Sequence, residues 1–226
     1  MNRSFKESFS QTPVTYALLM VIGLAYVGML WKFGTTQDAE ALYLSGANFT
    51  PAIVLDHEWW RLLSAGFLHI GFQHLVLNGL SLYYLGADLE RMLGSWRFLI
   101  VYLTAVIGGN LVSFAMNPEA LSAGASTGIY GLFVSFIVLS QLLPESYYLQ
   151  QLARSYGLLI VLNIFSFVFT SGTDHWGHLG GALYGGAAVY ALVNFVQKDF
   201  KNAFMSVILV ILLSVGLIYR GCSFFG

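Results

Sequence analysis

The chain has 226 residues, of which 57% are hydrophobic, 16% aromatic and only 9% charged, with a formal net charge of −1. A soluble domain typically carries about 25% charged residues, so the composition excludes a soluble enzyme, a disordered chain and a basic nucleic-acid-binding protein. The single cysteine, Cys222, excludes a disulfide framework and a thiolate metal site. The sequence therefore predicts an all-α polytopic membrane protein with short loops.

Seven stretches of the chain are apolar enough to cross a membrane, for which a helix needs about 20 residues. In chain order they are 14–31, 71–88, 97–115, 126–143, 156–170, 176–196 and 203–220. The fifth is short, and an earlier start near Leu152 is an alternative. Of the 10 lysines and arginines, most fall on the same side as the N-terminus: Arg3, Lys6, Arg91, Arg97, Arg154, Lys198 and Lys201. The positive-inside rule then predicts an N-terminus inside and a C-terminus outside.

The connection over residues 32–70 is longer than the other loops and rich in aromatic and aliphatic residues. A flexible linker has the opposite composition. Because Trp and Tyr concentrate where membrane meets water, this loop is predicted to lie in the outer membrane interface.

The first polar cluster opens the second predicted span with His69, His74 and Asn78. Polar residues inside a membrane are costly and are candidate functional residues by default. Residues four apart on a helix are separated by about 40° around its axis, so His74 and Asn78 share a face. No carboxylate or thiol completes a metal site, and no metal is predicted. For either residue alone, hydrogen bonding between helices is the simpler interpretation.

The second polar cluster opens the fourth span with Gly124-Ala-Ser126, and Tyr130 follows one turn later on the same face. Small residues at such a place usually serve close helix packing. However, the free N–H groups and dipole at a helix N-terminus also favour a developing negative charge. Ser126 is therefore a candidate nucleophile.

The third cluster opens the sixth span with His178, and Gly181 and Gly185 follow along one stripe that lets another helix pack closely. The fourth and sixth spans start on the same side, so Ser126 and His178 are expected at similar depth. The polar residues of the second span lie in the same layer. A hydroxyl, an imidazole and further donors are the groups that acyl transfer needs.

Taken together, these clusters resemble the rhomboid family of intramembrane serine proteases. The resemblance runs from about Trp60 to Tyr190. It is carried by the Trp60-Arg61 pair, the His69…His74…Asn78 spacing, Gly86-Ala-Asp-Leu-Glu90-Arg91-Met-Leu-Gly94, Gly124-x-Ser126 and His178-x-x-Gly181-x-x-x-Gly185. It implies a six-helix core within residues 1–202, with residues 203–226 as an added seventh helix and tail.

The resemblance also implies roles for individual residues. Ser126 would be the nucleophile and His178 the general base of a dyad. The residues implied for the oxyanion hole and substrate binding are the Ser126 backbone N–H, His74, Asn78, Gly124 and Tyr130, the last stacked on the His178 ring. Glu90 and Arg91 would form a structural charged pair.

Four further expectations concern the surroundings of the site. Asp174 is expected to cap the sixth span rather than to serve as a third catalytic group. Thr127 stands where the family often has glycine and is expected to bear on substrate preference. Polar residues expected near the mouth, keeping the site wet, are His69, Gln73, Ser122 and His175. The Gly181–Gly185 stripe is expected to pack against the fourth span.

The sequence thus predicts an intramembrane serine endopeptidase that cleaves single-span membrane proteins in the lipid bilayer. It needs no cofactor and binds no nucleic acid. A multi-pass protein of a bacterial plasma membrane is expected. One alternative is a catalytically inactive relative that binds transmembrane clients, although such relatives lack the serine or the histidine. Another is a small transporter or channel, although the sequence shows neither repeated halves nor an acidic residue in mid-span.

Overall fold

The computed structural model describes residues 11–167 and 173–225. Its helices there are α1 (Pro13–Phe33), α2 (Ala39–Ser45), α3 (Thr50–Leu55), α4 (Arg61–Ser64), α5 (Gly71–Ser81), α6 (Ala87–Leu93), α7 (Ser95–Met116), α8 (Ser126–Leu142), α9 (Tyr147–Phe167), α10 (His175–Val196) and α11 (Phe200–Cys222). A 3₁₀ turn, Ala65–Phe67, follows α4, and a π-helical turn, Leu82–Gly86, joins α5 to α6. The predicted all-α class is confirmed.

Among the described residues, four helices are long and apolar enough to cross a membrane, namely α1, α7, α10 and α11. Helix α8 is apolar but shorter, with 17 residues. The predicted second span corresponds to α5, the π-helical turn and α6, which follow one another without a break. The chain is therefore a polytopic membrane protein, as predicted.

The helix of the fifth predicted span begins earlier than both residue 156 and the alternative start near Leu152. Helix α9 begins at Tyr147, well before residue 156. Gln150, Gln151 and Arg154 lower the hydropathy of this stretch, yet all three are good helix formers. Residues 168–170, the end of that predicted span, lie outside the described residues. So do Arg3 and Lys6, which were counted in predicting the orientation. The orientation of the two termini stays a prediction.

Helices α7, α8 and α10 form the centre of the bundle, where glycines let the backbones approach. A Cβ atom on Gly181 would overlap the carbonyl oxygen of Thr127, and one on Gly185 would overlap the backbone of Gly131. Close approach of this kind is how helices associate in a membrane, where water does not drive them together. The expected packing of the α10 glycine stripe against α8 is confirmed.

The long connection between α1 and α5 is folded rather than loose. The buried Arg61 side chain donates to the carbonyl oxygens of Tyr43 and Ala47, at 2.7 and 3.0 Å. The Asn48 side chain donates to the carbonyl oxygen of Asn110 in α7, at 3.1 Å. These contacts tie the loop to the bundle, while its place in the membrane interface stays a prediction.

The expected Glu90–Arg91 pair does not form. Arg91 instead pairs with Asp88, at 2.9 Å, because neighbouring residues on a helix point in different directions. The buried Glu90 carboxylate accepts hydrogen bonds from the backbone N–H groups of Val14 and Thr15, at 3.0 and 2.7 Å. Glu90 therefore satisfies the free N–H groups at the start of α1.

Helix α11 is attached to the bundle by polar contacts as well as apolar packing. The Ser206 hydroxyl donates to the carbonyl oxygen of Ala187, at 3.0 Å, and the hydroxyls of Tyr184 and Ser214 lie 2.8 Å apart. Both contacts join α11 to α10, the helix whose first turn carries His178. The division of the chain into residues 1–202 and 203–226 stays a prediction.

Candidate active site

Ser126 is the first residue of α8, as predicted, and its side chain is partly exposed. The preceding loop turns through Gly124, whose φ of +148° is a conformation that residues with side chains rarely adopt. The Gly124 N–H donates to the carbonyl oxygen of Ala65, at 2.9 Å, which anchors the loop to the turn after α4. The hydroxyl is thus held at a helix N-terminus beside free backbone donors.

His178 lies in the first turn of α10, and its Nε2 atom is 2.8 Å from Ser126 Oγ. The two residues are 52 positions apart in the chain and meet because α8 and α10 begin at the same end of the bundle. The imidazole is only 9% exposed. A serine hydroxyl hydrogen-bonded to a shielded imidazole is the arrangement in which the imidazole can take the hydroxyl proton.

Tyr130 holds one face of the histidine ring. The rings of Tyr130 and His178 are stacked, with centroids 4.2 Å apart and planes 11° apart. Tyr130 stands one turn after Ser126 on α8, so the same helix presents the hydroxyl and the ring that supports its partner. The stacking implied by the resemblance is confirmed as geometry.

Asp174 caps α10, as expected. Its Oδ1 atom accepts from the backbone N–H of Gly177, at 2.9 Å. This is the usual contact of an aspartate at the N-cap position.

His74 reaches the site from α5. A Cβ atom on Gly124 would lie 2.7 Å from His74 Cε1, 3.0 Å from His74 Nε2 and 3.5 Å from Ser126 Oγ. The bare Gly124 therefore leaves room for the imidazole beside the serine. His74 Nδ1 accepts from the N–H of Ile70, at 3.3 Å, so the neutral ring carries its proton on Nε2, the atom that faces Gly124.

Asn78 lies one turn after His74 and is 7% exposed. Its amide nitrogen donates to the carbonyl oxygen of His74, at 3.1 Å, within the same helix. The structure thus brings Ser126, His178 and Tyr130 into contact and places His74 and Gly124 beside them. The Asn78 side chain is oriented by its own helix.

His69 has a part that the sequence reasoning missed. It is fully buried rather than at the mouth of the site, and its Nε2 atom accepts from the N–H of Ala125, at 3.5 Å. Burial lowers the pKa of His69 to about 4, so the ring is neutral and can accept. The available signal in the sequence was the position of His69 directly before α5. The loop that contains it contacts the loop before Ser126.

The other polar residues expected at the mouth divide into two groups. Gln73 and His175 are exposed. Ser122 is buried: its backbone forms a bridge with Asn48, at 2.8 and 3.0 Å, and its hydroxyl lies 3.5 Å from that of Ser113, so it is not exposed like the other two. Within residues 11–167 and 173–225, no group of three or more His, Cys, Asp or Glu side chains is arranged to hold a metal ion.

Thr127, directly after Ser126, faces the helix contacts. A Cβ atom on Gly109 would lie 2.6 Å from Thr127 Cβ, and one on Gly177 would lie 3.2 Å from Thr127 Cγ2. The side chain therefore packs between α7 and α10. Its expected effect on substrate preference stays a prediction.

Comparison with known proteins identifies the family of the chain. The model of the Rhomboid domain matches residues 56–195, a stretch that runs from directly after α3 into the last turn of α10 and includes both Ser126 and His178. The chain belongs to the rhomboid family. The match leaves α1 and α11 outside its bounds.

Curated rhomboid proteins resemble the chain over most of its length. It is 36% identical over 209 residues to rhomboid protease GluP of Bacillus subtilis, covering 92% of this chain and 41% of that protein. It is 34% identical over 173 residues to rhomboid-like protease 3 of Toxoplasma gondii, covering 73% and 62%. It is 36% identical over 129 residues to the putative rhomboid protease YdcA of Bacillus subtilis, covering 56% and 64%. The chain thus spans between 41% and 64% of the length of these relatives.

Proposed function

We propose that this rhomboid protein is an intramembrane serine endopeptidase that cleaves single-span membrane proteins with a Ser126–His178 dyad. The observation that carries the proposal is the 2.8 Å contact between Ser126 Oγ and His178 Nε2 at the shared end of α8 and α10. The names of the relatives, which are described as rhomboid proteases, support the same activity. A bacterial plasma membrane is the proposed location.

In the first half of the proposed reaction, Ser126 Oγ attacks the carbonyl carbon of the scissile peptide bond. The hydroxyl proton passes to His178 Nε2, because serine is a weak nucleophile unless a base accepts its proton. The carbonyl oxygen becomes an oxyanion and accepts hydrogen bonds from donors that are already in position. Stabilisation by such preorganised donors is usually the largest contribution to the rate. The donors proposed are the Ser126 backbone N–H, His74 Nε2–H and the Asn78 amide.

The tetrahedral intermediate then collapses. His178 gives its proton to the leaving nitrogen, the C–N bond breaks, and an acyl ester remains on Ser126. Water attacks the ester carbon while His178 takes its proton, and the bond between that carbon and Ser126 Oγ then breaks. His178 returns the proton to Oγ, and the new carboxyl end of the substrate leaves. The reaction needs no metal or cofactor, and Tyr130 keeps the imidazole aligned through both halves.

The proposal is tested with the purified full chain in proteoliposomes, together with a panel of single-span membrane substrates. We expect Ser126→Ala and His178→Ala each to abolish cleavage with thermal stability close to wild type. Ser140→Ala is the matched control, because this hydroxyl donates to the carbonyl oxygen of Ile137 in its own helix at 2.7 Å, far from the start of α8. Cleavage that persists in Ser126→Ala overturns the proposal.

A fluorophosphonate probe gives an independent readout that requires no substrate. We expect it to label the wild type and Ser140→Ala, and to leave Ser126→Ala and His178→Ala unlabelled. A wild-type chain that binds the substrates but neither cleaves them nor reacts with the probe would be an inactive relative.

A further inference from the structure

A groove lies between α8, α10 and α11, away from the candidate active site. Its volume is about 610 Å³. Helix α8 contributes Val138, and α10 contributes Gly186, Ala187 and Tyr190. Since Ser126 and His178 mark the starts of α8 and α10, these later residues place the groove towards the opposite end of the bundle.

Small residues on α10 create the space. Gly186 and Ala187 present little side chain, while α11 is held at this level by the bond from the Ser206 hydroxyl to the Ala187 carbonyl oxygen. The side chains of Ile208 and Leu209 on the groove's α11 wall are 55% and 66% exposed. The groove is therefore apolar and open sideways, towards the lipid that surrounds a polytopic protein.

The length of the groove matches one leaflet. On α11 it extends from Asn202 to Leu212, which is about 15 Å at the rise of an α-helix. The hydrocarbon core of a bilayer is about 30 Å thick, and a partner helix would need to follow all of it. A partner helix of about 10 Å diameter would fill 610 Å³ within roughly one and a half turns. A single acyl chain, which reaches only to mid-membrane, fits the groove better than a helix does.

The end of the groove near Asn202 carries free positive charge. Lys198 and Lys201 are both exposed, and neither forms an ion pair with the described part of the chain. The nearby Asp199 carboxylate is already engaged, because it accepts from the backbone N–H and side-chain amide of Asn202, at 3.2 and 2.7 Å. Two ammonium groups are thus available beside the turn between α10 and α11, and basic residues next to a membrane helix attract anionic headgroups.

We propose that this groove is a binding site for one anionic glycerophospholipid of the leaflet next to the α10–α11 turn. One acyl chain lies between Val138, Ala187 and Leu209, and the headgroup phosphate contacts Lys198 and Lys201. The proposal is independent of the proteolytic activity, since it involves none of the residues near Ser126.

The test uses the full chain in phosphatidylcholine vesicles doped with a lipid that carries a photoreactive diazirine on its acyl chain. The probe is either phosphatidylglycerol or phosphatidylcholine with identical chains, and adducts are mapped by mass spectrometry of peptides. We expect phosphatidylglycerol to label the α10 and α11 walls of the groove at least about fivefold more than phosphatidylcholine, the preference that one lysine supplies.

Variants separate the two parts of the site. Leu209→Phe, which fills the groove from an exposed position, should reduce labelling there several-fold, whereas Leu24→Phe on the exposed face of α1 should not. Lys198→Gln combined with Lys201→Gln should make the two lipids label equally, whereas Lys32→Gln should preserve the preference. Equal labelling of groove and α1 by both lipids overturns the proposal, as does cross-linking of a second copy of the chain to the groove.

Discussion

Tyr130 and His178 stack face to face, with ring centroids 4.2 Å apart and planes 11° apart, although the two residues lie on different helices. The proposed base is thus held by an aromatic ring on the helix that begins with the proposed nucleophile. We therefore expect Tyr130 to contribute to the orientation of the imidazole, whereas Asp174 accepts from the Gly177 backbone N–H at the start of α10.

The first prediction compares these two residues in one cleavage assay. Asp174→Asn keeps an oxygen for the Gly177 N–H, so we expect its activity to stay within about tenfold of wild type, or roughly 1.4 kcal/mol of barrier. Tyr130→Ala removes the ring that stacks on His178, and its cleavage activity should fall by more than tenfold. Tyr130→Phe keeps the ring and should retain most of the wild-type activity. A larger loss for Asp174→Asn at unchanged thermal stability would instead make Asp174 a catalytic partner.

The second prediction concerns the contact between α8 and α10. In Gly181→Val the new side chain meets the Thr127 carbonyl oxygen, which is backbone and cannot move aside. Overpacking costs about 1–3 kcal/mol or more, and we expect the unfolding temperature to fall by several degrees. Gly23→Val in α1 is the control, because no atom lies within 4 Å of a Cβ built there. Equal melting temperatures for the two variants would show that close approach at Gly181 is dispensable.

The third prediction concerns the anchor of α1. Besides its contacts with Val14 and Thr15, Glu90 accepts from the Ser95 hydroxyl, at 2.6 Å. Glu90→Ala leaves these donors without a partner, and each buried donor that lacks an acceptor lowers the free energy of unfolding by about 1–3 kcal/mol. We expect a clear loss of thermal stability and faster proteolysis at the start of α1.

Asp88→Asn is the matched control for Glu90→Ala on the same helix. Its pair with Arg91 is partly exposed, and such pairs contribute about 0–1 kcal/mol. If the two variants unfold at the same temperature, Glu90 does not anchor α1.

The fourth prediction is a pH dependence of stability that arises from His69. Its pKa is lowered by burial from 6.5 to about 4, so the unfolded chain binds more protons than the folded one between these values. The contribution of His69 to stability is therefore fully present above about pH 6.5 and is lost as the pH falls towards 4. Thermal unfolding measured across this range should show the decline.

His69→Gln tests the origin of that decline. The glutamine oxygen can replace Nε2 as the acceptor for the Ala125 N–H but does not titrate. We expect this variant to lose less stability than wild type between pH 6.5 and 4, and His57→Gln, at an exposed site, to behave like wild type. An unchanged pH profile in His69→Gln would rule out this histidine as the cause.

The sequence by itself determined the class of the protein and most of its local structure. Long apolar stretches must satisfy their own backbone groups in a bilayer, and helices do this within a single segment. The same local reasoning placed Ser126 at a helix N-terminus, Tyr130 one turn beyond it, Asp174 as a cap and Gly181 on a packing stripe. It failed at the start of α9, where the hydropathy of Gln150 and Arg154 conceals their helix propensity.

Only the tertiary structure decided which residues meet. The Ser126–His178 contact joins positions 52 apart, and the Thr15–Glu90 contact joins positions 75 apart. Neither follows from periodicity, because the side-by-side placement of helices depends on where bare glycine backbone allows close approach. For the same reason the pair of Glu90 with Arg91 that the resemblance implied does not form, and His69 does not lie at the mouth of the site, where it was expected. The Glu90 carboxylate and the His69 imidazole are both buried. Each accepts a hydrogen bond from a backbone N–H that is distant in sequence and is brought near only when the helices pack.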